Sequence, residues 1–139
     1  MTTEPAPRLS FLVVEDDFVS RLMMQKMLQS HGACDLAVNG QEAIIAVTHA
    51  WQEGRPYDLI CLDIMMPVMD GIAALREIRR LEMERGIRGP DAVRIIMTSA
   101  LDDPRNILNA FRNQCEAYLV KPVDESLLLH HMRAFGIKV

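Results

Sequence analysis

Basic residues are neither abundant nor clustered in this sequence, where fifteen Lys and Arg stand against nineteen Asp and Glu for a formal net charge of −4. A nucleic-acid backbone, which is held by dense positive charge, is therefore not an expected partner. Long apolar runs are missing as well. Each is interrupted within about ten residues, short of the ~18 needed to cross a bilayer, and the stretch from Met1 to Arg8 has no hydrophobic signal region. A soluble, cytoplasmic protein without membrane contact is expected. Cysteine is scarce and odd in number: Cys34, Cys61 and Cys115 are widely spaced with no C-x-x-C pair, which argues against a disulfide framework or a zinc site. The four histidines supply no better metal constellation and read as solvated or helix-end residues. No Gly-rich phosphate loop occurs, so neither the Walker pattern nor the dinucleotide fingerprint applies and nucleotide binding is disfavoured.

What is present is 139 residues, half of them apolar, enough for one hydrophobic core. Leu9 to Val14 is a short apolar run stopped by Glu15, Asp16 and Asp17, as expected of a buried parallel strand, with Asp17 reading as a helix cap. Val19, Leu22, Met23, Met27 and Leu28 recur at helical spacing, and Met23, Met24 and Met27 read as adaptable core filler. That helix should stop near residue 31, before Gly32. Ala33 to Val38 reads as a second strand, and Asn39 with Glu42 as a reciprocal cap on a helix reaching about Glu53. Leu59 to Leu62, Val93 to Met97 and Ala117 to Val120 supply three more strands. Asp70-Gly71, Asp103-Pro104 and Asp124 open three more helices. The first of these is expected to fray after Arg80, where charges mix with two glycines and a proline. Five strands alternating with five helices predict a parallel sheet covered on both faces. Residues 1–8 are expected to form a flexible N-terminal extension, and residues 9–139 one domain with no fused output domain.

In such sheets ligands bind beyond the carboxyl ends of the strands. Those positions here are Glu15 and Asp16, Asp63, Thr98 and Ser99, and Lys121. Clustered carboxylates resist joint ionisation unless a cation neutralises them, and an all-oxygen set suits Mg²⁺. Lys121 can then hold a phosphoryl oxygen as a point charge while Ser99 donates a hydrogen bond to another; a one-residue slip of register would put Thr98 in that role. Asp63, central in the sheet, is the expected nucleophile toward phosphorus. A Mg²⁺-dependent phosphohydrolase with an Asp nucleophile shares this chemistry, but it would normally carry a second acid two residues after the nucleophile, where Met65 stands. A flavodoxin-like cofactor binder would need a hydroxyl-rich loop where Glu15-Asp16-Asp17 lies.

The motifs VVEDD at Val13 to Asp17, DIMMPVMDG at Asp63 to Gly71, MTSA at Met97 to Ala100 and YLVKP at Tyr118 to Pro122 together resemble the receiver domain of two-component response regulators, including its chemotaxis-type single-domain members. The resemblance covers roughly Leu9 to Phe135. It implies a flavodoxin-like doubly wound sheet in strand order 2-1-3-4-5, and Asp63 as acceptor of a phosphoryl group from a sensor histidine kinase or histidine phosphotransfer protein. It implies that Asp16, Asp63 and the backbone carbonyl of Met65 bind Mg²⁺ directly, that Glu15 acts indirectly, and that Lys121 and Ser99 hold phosphoryl oxygens. A cis Lys121-Pro122 bond and a Ser99–Tyr118 switch pair follow from it as well. The output face would lie on the fourth helix, fifth strand and fifth helix, displaying Asn106, Asn109, Arg112, Asn113, His130 and Arg133 to an unidentified target. Such a protein is no enzyme in the ordinary sense, since it catalyses only its own phosphorylation and dephosphorylation. Two departures stand out, a longer loop around Glu82 to Pro90 and Gln114-Cys115-Glu116 where a glycine is usual. Met65 and Leu101, flanking the route of an attacking water, are expected to slow loss of the phosphoryl group.

Overall fold

The computed structural model describes residues 8–139, so the expected N-terminal extension, Arg8 apart, lies outside the described residues. Along the chain run β1 (Leu9–Val14), α1 (Phe18–Gln29), β2 (Gly32–Ala37), α2 (Gly40–Gln52), β3 (Leu59–Leu62), α3 (Gly71–Glu84), a 3₁₀ turn (Gly89–Asp91), β4 (Arg94–Ser99), α4 (Pro104–Arg112), β5 (Ala117–Val120) and α5 (Glu125–Ala134). The strands pair in parallel in the order β2-β1-β3-β4-β5, the doubly wound flavodoxin-like arrangement that the resemblance implied.

The sheet divides the core in two. Leu12, Ile60, Leu62 and Met97 pack against Ala43 and Val47 of α2, Leu75 and Ile78 of α3, and Ala110 of α4. On the other face Phe11, Val13, Cys61 and Ile96 meet Met24 and Leu28 of α1 and Leu128 and Met132 of α5. β3 is apolar throughout because both of its faces are covered, and all four of its residues are buried. Each helix starts on a side-chain cap, from Asp17, Asn39, Asp70, Asp103 or Asp124, whose oxygen accepts a backbone N–H of the first turn. Since every strand runs the same way, these caps and the strand carboxyl ends share one edge of the molecule. Glu42 returns its bond to the N–H of Val38, at 3.2 Å, one residue before the cap on which reciprocity was expected.

Two expectations need correction. Val19, Leu22 and Met23 do not fill the core: α1 buries Met24 and Leu28 and turns the other three outward, with Phe18, which is 66% exposed. α3 does not fray at Arg80 but continues to Glu84, because Arg80 bridges Glu77 at 2.5 Å and Glu84 at 2.6 Å along one helix side. Asn113, partly exposed at the end of α4, accepts Arg76 Nε of α3 through its Oδ1 at 3.2 Å.

Candidate functional site

At the carboxyl edge, β1, β2 and β3 end level, with Val14 paired to Ala37 on one side and to Leu62 on the other. The Glu15 N–H still donates to the Ala37 carbonyl at 2.9 Å, and the Asp63 N–H donates to the Val14 carbonyl at 3.0 Å, so the two acids leave adjacent strands at one level. Glu15 and Asp63 are buried, whereas Asp16 is exposed. One carboxylate oxygen from each of the three lies within 4.8 Å of the others. Lys121 enters from β5, held by its N–H to the Ser99 carbonyl at 2.9 Å and followed by a cis bond to Pro122. Its ammonium donates to Glu15 Oε1 and, at 3.4 Å, to Asp63 Oδ2. The other Asp63 oxygen, Oδ1, accepts the Ile64 N–H at 2.8 Å.

The loop after Asp63 folds back over it. The Gly71 N–H donates to the Ile64 carbonyl at 2.8 Å, and a Cβ on Gly71 would fall against the Asp63 carbonyl, so only glycine fits behind the acid. Met65 points into solvent at 64% exposure, and Val68 takes a left-handed φ of 70° at 80% exposure. Ser99 and Thr98 are both buried. Alternation along β4 puts Thr98 on the face of Ile96, toward α1 and α5, and Ser99 on that of Met97. Ser99 Oγ accepts the Leu101 N–H at 3.2 Å, and the half-buried Tyr118 donates its hydroxyl to the Leu101 carbonyl at 2.6 Å. Ser99 and Tyr118 thus share one anchor in the β4–α4 loop.

Burial, reinforced by the neighbouring Asp63 carboxylate and opposed by Lys121, pushes the Glu15 carboxyl up to about 7. Burial pulls the Lys121 ammonium down, but Glu15 and Asp63 outweigh it and the net shift is upward. Glu15 Oε2 is buried without a hydrogen-bond partner among the described residues. Three converging carboxylates answered by one ammonium, with a buried oxygen left unsatisfied, fit a hard divalent cation held through oxygen. Asp17 stands apart from this set, its carboxylate capping α1 through the Ser20 N–H at 2.9 Å.

Sequence reasoning missed Arg21. Its Nη1 reaches back from α1 to the carbonyls of Glu15, at 2.9 Å, and Asp16, at 3.3 Å. The available signal was a basic residue one turn into a helix that starts just after the acids.

Comparison with known proteins bears on the family and the fold. The family described as response regulator receiver domain matches residues 11–133. The chain is 32% identical over 120 residues to chemotaxis protein CheY of Bacillus subtilis, covering 85% of this chain and 89% of that one. It is 32% identical over 117 residues to the osmosensing histidine protein kinase SLN1 of Saccharomyces cerevisiae, covering 83% of this chain but only 9% of that protein's length. Among solved structures, the receiver domain of Ssk1 from S. cerevisiae, in complex with the histidine phosphotransfer protein Ypd1, superposes with a TM-score of 0.79 at 31% identity, over 96% of this chain and 92% of that one. The receiver domain of the histidine kinase CKI1 from Arabidopsis thaliana, complexed with Mg²⁺ and BeF₃⁻, gives 0.76 at 31% identity over 94% and 91%.

Proposed function

The chain belongs to the response regulator receiver domain family of two-component signalling, and from that premise we propose that Asp63 accepts a phosphoryl group from the phosphohistidine of a sensor kinase or phosphotransfer protein. The observation that carries this reading is the meeting of Glu15, Asp16 and Asp63 with Lys121 at one strand edge. In the transfer, Asp63 Oδ2 forms the new O–P bond as the N–P bond to the donor imidazole breaks, and the imidazole keeps the electron pair and takes up a proton. Asp16, Asp63 and the Met65 carbonyl would hold Mg²⁺, with Glu15 acting indirectly. When bound, the ion neutralises charge on the phosphoryl oxygens. The Lys121 ammonium, already between Glu15 and Asp63, shares that task, and Ser99 donates its hydroxyl to a third oxygen.

A donor protein has a surface beside the pocket. Phe18, Val19, Leu22 and Met23 expose an apolar stripe on α1 that begins two residues beyond Asp16, and the Ssk1 neighbour was solved with its phosphotransfer partner. Drawing Ser99 toward a phosphoryl oxygen would break its bond to the Leu101 N–H and release the loop that also anchors Tyr118. That change would repopulate the face of α4, β5 and α5, where Asn106, Asn109, Arg112, Asn113, His130 and Arg133 would meet a target protein. In this reading the chain is a cytoplasmic switch that catalyses only its own phosphorylation and dephosphorylation.

Intact mass after incubation with a small phosphodonor and Mg²⁺ tests the proposal. A single metal-dependent phosphoryl adduct, absent in Asp63→Asn, is expected. Sustained phosphate release with no adduct in the wild type would instead favour the phosphohydrolase reading.

A further inference from the structure

Glu15 and Asp63 are fixed by burial and by Lys121, but Asp16 is not. Its side chain is exposed, and among the described residues none donates a hydrogen bond to its carboxylate. The direction of that carboxylate therefore depends on the backbone that carries it, just where β1 leaves the sheet. The ladder's last contribution here is the Glu15 N–H, bonded to Ala37. The carbonyls of Glu15 and Asp16 are instead taken by one Arg21 nitrogen, at 2.9 and 3.3 Å. Two consecutive peptide planes flank the Asp16 Cα, and a single charged donor locks both.

Arg21 is itself held. It sits in the first turn of α1, its N–H donating to the Asp17 carbonyl at 2.9 Å, and Asp17 caps that turn. Its guanidinium lies 5.6 Å from the centre of the Phe18 ring. We propose that Arg21 is a positioning residue for the divalent-cation site: it holds the Glu15–Asp16 peptides so that the exposed Asp16 carboxylate is aimed at the ion. The inference rests on the metal-binding reading above and extends it to a residue that touches neither ion nor phosphoryl group.

Two effects of opposite sign make this decidable. As a cation near the site, Arg21 repels Mg²⁺, so on charge alone its removal tightens binding. As the clasp on two peptides it pre-forms the site, so its removal weakens binding, and partners outside the direct ligand set are typically worth tenfold or more in metal affinity. The experiment is calorimetric titration of Mg²⁺ into the wild-type protein, Arg21→Met and Arg21→Lys, without phosphodonor, with the melting temperature of each metal-free form recorded. The expected result is roughly tenfold weaker binding for Arg21→Met and partial recovery for Arg21→Lys, which keeps a donor and the charge. Unchanged or tighter binding by Arg21→Met overturns the proposal and leaves the metal site standing. Failure of the wild type to bind Mg²⁺ overturns the metal site as well. If Arg21→Met does not fold, Arg21→Gln, neutral but able to donate, takes its place under the same criteria.

Discussion

The carbonyl of Gln114 accepts both Nε and Nη2 of Arg79, at 3.0 and 2.9 Å, although the two residues are 35 positions apart. Gln114 stands in a left-handed conformation, φ 74°, at the turn into β5 where the family usually has glycine. The same guanidinium bonds Glu82 at 2.7 Å, the Val93 carbonyl at 2.9 Å and Glu116 at 2.9 Å. Those carboxylates in turn accept the N–H groups of Val93, at 2.8 Å, and Ile95, at 2.6 Å. Arg79 thus ties the end of α3 to the starts of β4 and β5 and holds in place the turn that a glycine would relax. Arg79→Ala should cost about 3 kcal/mol, since it leaves two largely buried carboxylates uncompensated. Gln114→Gly should gain about 0.5–1 kcal/mol by removing the left-handed penalty. Urea unfolding of both variants measures these changes, and equal stability of Arg79→Ala and wild type would refute the tie.

Val68 poses the same backbone problem without a clasp. A β-branched residue at φ 70° is strained, and at 80% exposure its side chain has almost no packing to lose. Val68→Gly should raise the melting temperature by about 3 °C, as roughly 1 kcal/mol does in a domain of this size. Calorimetry that shows a lower melting temperature would mean the valine side chain contributes packing that its exposure hides.

Glu15 should make the metal-free protein less stable as the solution becomes more alkaline. Its carboxyl titrates near 7 in the fold and near 4.5 when unfolded, so between those values the folded chain holds the extra proton. Stability from this group is fully present below the lower value and is lost as pH rises through the upper one. Urea midpoints should therefore fall between pH 5 and pH 8, Glu15→Gln should flatten the fall, and Mg²⁺ should stabilise more at pH 8 than at pH 5. An identical pH profile in Glu15→Gln would assign the titration elsewhere.

In the proposed aspartyl phosphate at Asp63, Met65 and Leu101 are expected to screen the phosphoryl group from water. Met65 is exposed two residues past Asp63, and Leu101 is held between the Ser99 hydroxyl and the Tyr118 hydroxyl. Loss of the phosphoryl group, followed by mass spectrometry after removal of the donor, should be several-fold faster in the Met65→Ala, Leu101→Ala double variant. An unchanged rate would remove the apolar screen from consideration.

The strands and the pocket residues could be read from the chain because one local event marks them, an apolar run broken by an acid, a hydroxyl or a lysine. β1, β3 and β5 begin and end as expected, and Glu15, Asp16, Asp63 and Lys121 come together as their strand-end positions implied. What escaped depended on partners far along the sequence or on the angle of a helix. Periodicity shows that α1 has an apolar stripe but not that Met24 and Leu28 face the sheet while Phe18, Val19, Leu22 and Met23 face water. The continuation of α3 depends on ion pairs of Arg80 that a count of charges and glycines does not reveal. Arg79 and Arg21 read as ordinary surface cations until the carbonyls they serve are placed beside them.

The bond between Lys121 and Glu15 joins residues 106 positions apart. During synthesis on the ribosome the three acids therefore emerge long before the ammonium that offsets them. Until that lysine has cleared the exit tunnel and β5 has docked, the nascent chain carries a like-charged cluster with no cation of its own to close it. A truncated translation product that ends before β5 would thus carry the acids without Lys121, the ammonium that bonds Glu15 and Asp63 in the complete sheet.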